Sequence, residues 1–220
     1  MGSDLIQTLI LDFDGVILES VEVKTEAFRE LFSFAPDHVE EIVEFHRQNG
    51  GMSRYEKIRY IYAEILNEPL AEERFTELVD RFSGLVLDGV LASSPVVGVE
   101  EFLECYSSKI PIYVVSATPG AEIREIVRRR GMDRYFKHVY GSPRSKSDCI
   151  REILNETRTD PGHALFAGDA PNDWKAAQEA GIRFVARVKP GDPDRFADLI
   201  GIEVKVQDLS ELHRYLEDRV

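Results

Sequence analysis

The stretch Leu9-Ile10-Leu11-Asp12-Phe13-Asp14-Gly15-Val16 constrains this chain more than any other. An apolar run ending in Asp-x-Asp-Gly predicts a buried strand that carries two carboxylates to its C-terminal tip. Alternate residues of a strand share a face, so Asp12 and Asp14 point one way while Phe13 turns back into packing. Two carboxylates that close repel one another and resist desolvation, and a divalent cation, which prefers oxygen ligands, is the usual compensation. Gly15 then permits a sharp turn away from the strand. Taken alone, the same string also suits an Asp-Gly turn that merely closes a strand.

The 220 residues suffice for one substantial core and a smaller accessory module, and 43% hydrophobic with 30% charged residues is ordinary for a globular protein. No apolar run approaches the roughly 20 residues that span a bilayer, and no membrane partner is expected. The N-terminus has no basic stretch followed by an apolar core, and Cys105 and Cys149 stand apart as reduced packing residues. A cytoplasmic protein is therefore expected. The net charge of −13 argues against nucleic acid as a partner, because a polyanion needs a basic face. The basic run Arg128-Arg129-Arg130 precedes Gly131, where cations complement a helix C-terminus.

Between Ser20 and Val90 the pattern is helical throughout, with helices expected at Val23 to Phe34, Asp37 to Gln48, Ser53 to Leu66 and Ala71 to Val86. Pro36, Asn49-Gly50-Gly51 and Glu68-Pro69 punctuate them, and Ser53-x-x-Glu56 is a capping box. From Ser94-Pro95 onward short apolar strands alternate with helices, the strands expected at Ile110 to Val115, His138 to Tyr140, Ala164 to Ala167, Arg183 to Val188 and Glu203 to Val206. The fold class is α/β: a doubly wound, mainly parallel sheet with an inserted α-helical cap. Residues 1–19 and 91–220 form the expected core and 20–90 the cap. Gly191-Asp192-Pro193-Asp194 fits a loop and helix start.

Open parallel sheets bind ligands at the carboxyl ends of their strands. That edge receives Asp12 and Asp14, then Ser116-Ala117-Thr118-Pro119, then Lys146 at the start of a helix, then Gly168-Asp169-Ala170-Pro171-Asn172-Asp173. Each has an ordinary reading: a capping hydroxyl at Ser116, a surface amine at Lys146, a helix-start acid at Asp173. Four acids, a hydroxyl and a lysine on one edge, in this order, make a far less accidental set.

That order resembles the haloacid dehalogenase superfamily, whose four motifs correspond to Asp12-Phe13-Asp14-Gly15, Ser116, Lys146 and Gly168-Asp169-x-x-x-Asp173. The resemblance covers nearly the whole chain, on a Rossmann-like core, and is nearest to the phosphoglycolate phosphatase and β-phosphoglucomutase-like branch. It implies that Asp12 attacks phosphorus to form an aspartyl phosphate, and that Asp14 acts as general acid and then general base. It further implies a Mg²⁺ ion held by Asp12, the Asp14 backbone carbonyl and Asp169, with Asp173 in a supporting role. Ser116, Lys146 and the Ala117 backbone would bind the phosphoryl oxygens. The implied activity is hydrolysis of a small phosphorylated metabolite, a sugar phosphate or phosphoglycolate-like compound. A phosphomutase or a catalytically idle module on the same fold are the alternatives.

Asp14 argues against a dehalogenase, since a halide leaving group needs no proton, and the long helical insertion argues against a receiver-type signalling domain. Gly51, Ser53 and Arg54, in Gly50-Gly51-Met52-Ser53-Arg54, resemble the branch's specificity loop, which would bring Arg54 to a distal oxygen, carboxylate or second phosphate. The same string also suits one helix ending and another starting, with Arg54 solvated. His46, Arg47 and Lys57 fit helix-face positions. A phosphonate-cleaving activity would need an amine to form a Schiff base, and the loop offers Arg54 instead, which disfavours it. Glu19, Ser20 and Lys24 border the entrance without an assigned role, and Thr118 either contacts phosphate or caps a helix.

Overall fold

The structure, a computed structural model, describes residues 5–220, so the first four residues of the expected core segment lie outside it. Strand β1 (Thr8–Leu11) is buried along its whole length, with Leu9 and Leu11 packing on one side of the sheet and Ile10 on the other. An apolar run of this kind belongs at the centre of a parallel sheet covered on both faces. It pairs in parallel with β2 (Ile112–Pro119) on one side and β4 (Ala164–Gly168) on the other. Outside these lie β3 (His138–Ser142), β5 (Arg183–Arg187) and β6 (Val204–Val206), giving the order β3-β2-β1-β4-β5-β6 with every pairing parallel.

The connections are helical, as parallel strands require. After β1, helices α1 (Val21–Leu31), α2 (Val39–Gln48), α3 (Arg54–Tyr60) and α4 (Glu72–Ala92) form the insertion. Helices α5 (Val99–Tyr106), α6 (Gly120–Arg129), α7 (Lys146–Thr157), α8 (Pro171–Ala180) and α9 (Leu209–Leu216) cover the sheet. The chain leaves and rejoins the core through adjacent segments: Leu18 bridges Pro95, and the Glu19 amide donates to the Ser94 carbonyl at 2.9 Å.

Several expected boundaries shift. The third helix of the insertion continues from α3 through a π turn, Ile61–Ile65. Helix α4 runs six residues beyond the expected Val86, through Gly89. Gly89 is there for packing, because a Cβ on it would lie 2.6 Å from Val23 Cγ1 on α1. Strand β2 extends past Val115 to Pro119 with a register shift, so Ser116 to Thr118 are strand residues rather than a loop. The segment after Gly191 forms turns, with no helix. No helix among the described residues is long and apolar enough to cross a membrane.

Candidate active site

The register that pairs Leu11 with Ala167 brings the ends of β1 and β4 level. Asp12 extends this ladder by one bond, its amide donating to the Ala167 carbonyl at 2.9 Å. Its side chain is 4% exposed, and Oδ1 accepts from the Phe13 amide at 2.8 Å. Beyond it the chain folds back tightly, with Ile17 N bonded to Phe13 O and Gly15 N to Leu18 O. Gly15 has φ +75°, and a Cβ there would fall 2.1 Å from Asp169 Oδ2. Glycine is thus required both by the turn and by the approach of a carboxylate.

One carboxylate oxygen from each of Asp12, Asp169 and Asp173 lies within 4.8 Å of the others. Lys146, the first residue of α7, reaches into this group, with Nζ 3.0 Å from Asp12 Oδ2 and 2.5 Å from Asp173 Oδ1. Asp173 also accepts from the Ala170 amide at 3.1 Å, closing the first turn of α8. Burial, with repulsion from Asp173 and Asp14 and against the pull of Lys146, pushes the Asp12 carboxyl up to about 7. Burial and repulsion from Asp173 and Asp12 push Asp169 well above the usual range too. One ammonium does not neutralise this floor. The crowded oxygen donors fit a hard divalent cation.

Asp14 faces elsewhere. Its carboxylate accepts from Ser20 Oγ at 2.6 Å and Thr118 Oγ1 at 3.2 Å, and pairs closely with Lys24 Nζ. Burial opposes its charge, but Lys24 and the two hydroxyls outweigh that and hold the carboxyl below its ordinary value. Lys24 also donates to Thr118 Oγ1 at 2.7 Å. Thr118 therefore contacts Asp14 and Lys24 rather than capping α6. Ser20 and Lys24, one helical turn apart at the start of α1, were legible only as entrance residues.

Ser116 is buried in β2, its Oγ accepting from the Thr118 amide at 3.1 Å. Ala117 lines a cleft shared with Asp12, Asp14 and Asp169, enclosing about 670 Å³ partly open to solvent. The insertion supplies the facing wall. Gly51, at φ +76°, lies over Asn172 and Asp173, with its would-be Cβ 3.1 Å from Asn172 Cβ. Asn172 Nδ2 donates to the Gly50 carbonyl at 2.8 Å. Ser53 closes the expected capping box with Glu56. Arg54 lines the cleft but is not solvated: its guanidinium forms a two-bond pair with Glu122 of α6, at 2.6 and 2.9 Å, and also donates to Ser83 Oγ.

His46 and Lys57, which suited helix faces, are both buried against the cleft. Arg195, from the loop after β5, reaches the same cleft and had no signal in the sequence. Arg187, at the end of β5, braces the β1 turn by donating to the Gly15 carbonyl at 3.0 Å and pairing with Glu19 at 2.5 Å.

Comparison with known proteins identifies the family of the chain. The profile of the family described as haloacid dehalogenase-like hydrolase matches residues 9–187. The chain belongs to that family and is a hydrolase of it. A "phosphorylated carbohydrates phosphatase" of Thermotoga maritima is 28% identical over 80% of this chain and 82% of its own length. A "5'-nucleotidase" of Pseudomonas aeruginosa is 33% identical, over only 39% of this chain and 41% of its own length. Among solved structures, a predicted phosphatase from Clostridium acetobutylicum superposes with a TM-score of 0.76 over 97% of this chain and 99% of that one. At 17% identity, this last likeness speaks for the fold alone.

Proposed function

We propose that the chain is a Mg²⁺-dependent phosphatase of a small organic phosphate monoester, a sugar phosphate or phosphoglycolate-like compound, acting through an aspartyl phosphate on Asp12. The observation that carries this reading is the separation of two carboxylates only two residues apart. Asp12 joins Asp169, Asp173 and Lys146 on the cleft floor, while Asp14 is held by Ser20, Lys24 and Thr118. This separation supports a nucleophile's role for Asp12 and a proton-transfer role for Asp14.

Asp12 Oδ2 would attack phosphorus while Lys146, Ser116 and the Ala117 amide hold the phosphoryl oxygens. Mg²⁺, held by Asp12, the Asp14 carbonyl and Asp169, would supply the charge that lets a phosphate dianion approach a carboxylate. Asp173 would act by fixing Lys146. The Asp14 carboxyl would protonate the departing alcohol, which requires its contact with Lys24 to loosen. Once the alcohol has left, the ionised Asp14 favoured by Lys24 suits removal of a proton from the attacking water. Residues 20–90 would serve as a cap over this chemistry.

Phosphate release from a panel of sugar phosphates, phosphoglycolate and nucleotides, with Mg²⁺ and with chelator, tests the reading. Metal-dependent release is expected, as phosphate rather than as a rearranged ester, which separates a phosphatase from a phosphomutase. Asp12→Asn should lower kcat by at least about a thousandfold. Undiminished turnover in that variant, folded and supplied with Mg²⁺, rejects Asp12 as the nucleophile.

A further inference from the structure

The cleft has an acidic floor and a cationic wall. The floor's one cation, Lys146, is tied to Asp12 and Asp173. The wall carries Lys57 from α3 and Arg195 from the loop after β5, and among the described residues neither is paired with a carboxylate. Lys57 is the sharper case. It is 3% exposed, and Nζ lies 3.1 Å from both His46 Nδ1 and the His46 carbonyl. A buried ammonium with only neutral partners is an uncompensated charge, which a fold normally removes or pairs.

Every other charge near it leaves the deficit standing. Burial, reinforced by Lys24 of α1 and Arg195, pushes Lys57 down to about 7, and Asp169 on the floor and Asp14 beside it only partly oppose this. Burial and the same cations keep His46 neutral, so its Nδ1 can accept from Lys57. Arg195 is half-buried, its guanidinium beside Gly50, 3.6 Å from where a Cβ would sit. Arg54, for which the sequence left substrate contact and a solvated helix start both open, is held by Glu122.

We propose that the substrate's alcohol portion carries a second anionic group, a carboxylate or a further phosphate, and that Lys57 and Arg195 receive it. This rests on the phosphatase reading. With the transferred phosphoryl group on the floor, the remainder of the ester extends toward the insertion, where Phe28 and Phe82 also line the cleft and limit its bulk. An anion there would supply the partner Lys57 lacks, through charge-assisted hydrogen bonds. Lys57 and Arg195 are thus specificity residues and take no part in bond making.

The test uses matched esters. Phosphoglycolate is compared with 2-hydroxyethyl phosphate, and propane-1,3-diol bisphosphate with its monophosphate, by kcat/KM at saturating Mg²⁺. The first pair reports a carboxylate and the second a phosphate. The anionic member of at least one pair should be preferred by about tenfold or more, the scale of one hydrogen bond to a charged group. Lys57→Met and Arg195→Gln should each narrow that ratio several-fold, chiefly through KM. A structural role would instead lower both members of a pair together and leave the ratio intact. Release from all four esters without preference, or an unchanged ratio in both variants, overturns the inference and leaves the phosphatase standing. No release from any ester overturns both.

Discussion

Asp12 and Asp14 share one strand tip and titrate in opposite directions. Asp12 is buried among acids with one shared lysine, while Asp14 has a lysine and two hydroxyls of its own. In the metal-free protein the native Asp12 keeps its proton to about 7, whereas an unfolded aspartate releases it near 3.8. Between these values the native state binds the extra proton, so stability is greatest on the acid side and falls as pH rises toward 7. Asp169 has the same sign. Asp14, held low, contributes stability that disappears only as pH falls below its unfolded value, outside this window. Burial favours the neutral forms of His46 and Lys57 and gives them the opposite sign, in the unaltered protein and in Asp12→Asn alike. The melting temperature of chelator-treated protein, taken relative to that of Asp12→Asn, should therefore drop between pH 5 and 8, and added Mg²⁺ should restore more at pH 8 than at pH 5. A variant slope equal to that of the unaltered protein contradicts the assignment. The four acids, Ser116 and Lys146 were legible because each lies near the carboxyl end of an apolar strand or opens a helix at the same sheet edge. Lys24, Lys57 and Arg195 were not, because their placement depends on how distant segments fold together. Lys24 meets Thr118 across 94 positions of sequence.

Helix α4 shows what local pattern can and cannot decide. Its start after Ala71 was expected, but its end was expected at Val86, six residues before Ala92. Contact with α1 settles it: Gly89 meets Val23, where a larger residue would push the helices apart. Gly84 in the same helix is exposed and has open space where a Cβ would go. Gly84→Ala should therefore stabilise the protein by about 0.5–1 kcal/mol, the usual helix-propensity difference. Gly89→Ala should lose that gain and destabilise, because Val23 must move. Chemical denaturation of both variants checks this, and equal changes refute the packing role of Gly89. The capping box at Ser53 was fully legible, being written within four residues. The extension of β2 to Pro119 was not, since it arises from pairing with β3.

At the scale of the whole molecule, the parallel sheet follows from apolar strands alternating with helices and the placement of the insertion from the uninterrupted helical pattern after β1, whereas the order β3-β2-β1-β4-β5-β6 is set by which strands pair. How the insertion sits on the core depends on a shared apolar cluster, with Phe28 and Phe82 joined to Phe13 and Ile123, and on polar side-chain contacts, which no local pattern encodes. One buried polar contact is Arg54 with Glu122: their side chains are 4% and 13% exposed, and Phe82 lies under the guanidinium at 4.6 Å. Removing one partner of such a pair strands the other charge without solvent. Here the chain has an escape short of unfolding, because separating insertion from core would hydrate Arg54. The only backbone links are the adjacent segments near Leu18 and Pro95. Glu122→Gln should thus shift the molecule toward an open form, visible as a larger radius of gyration in small-angle X-ray scattering. It should also lower kcat/KM by about tenfold, as the closed fraction falls. Arg54→Met combined with Glu122→Leu removes both charges and should restore the compact form, because an apolar pair can occupy the same contact. If Glu122→Gln stays as compact and as active as the unaltered protein, closure rests on the Asn172–Gly50 contact and the Lys24 bonds instead. If the double variant stays open, the pair supplies more than charge compensation.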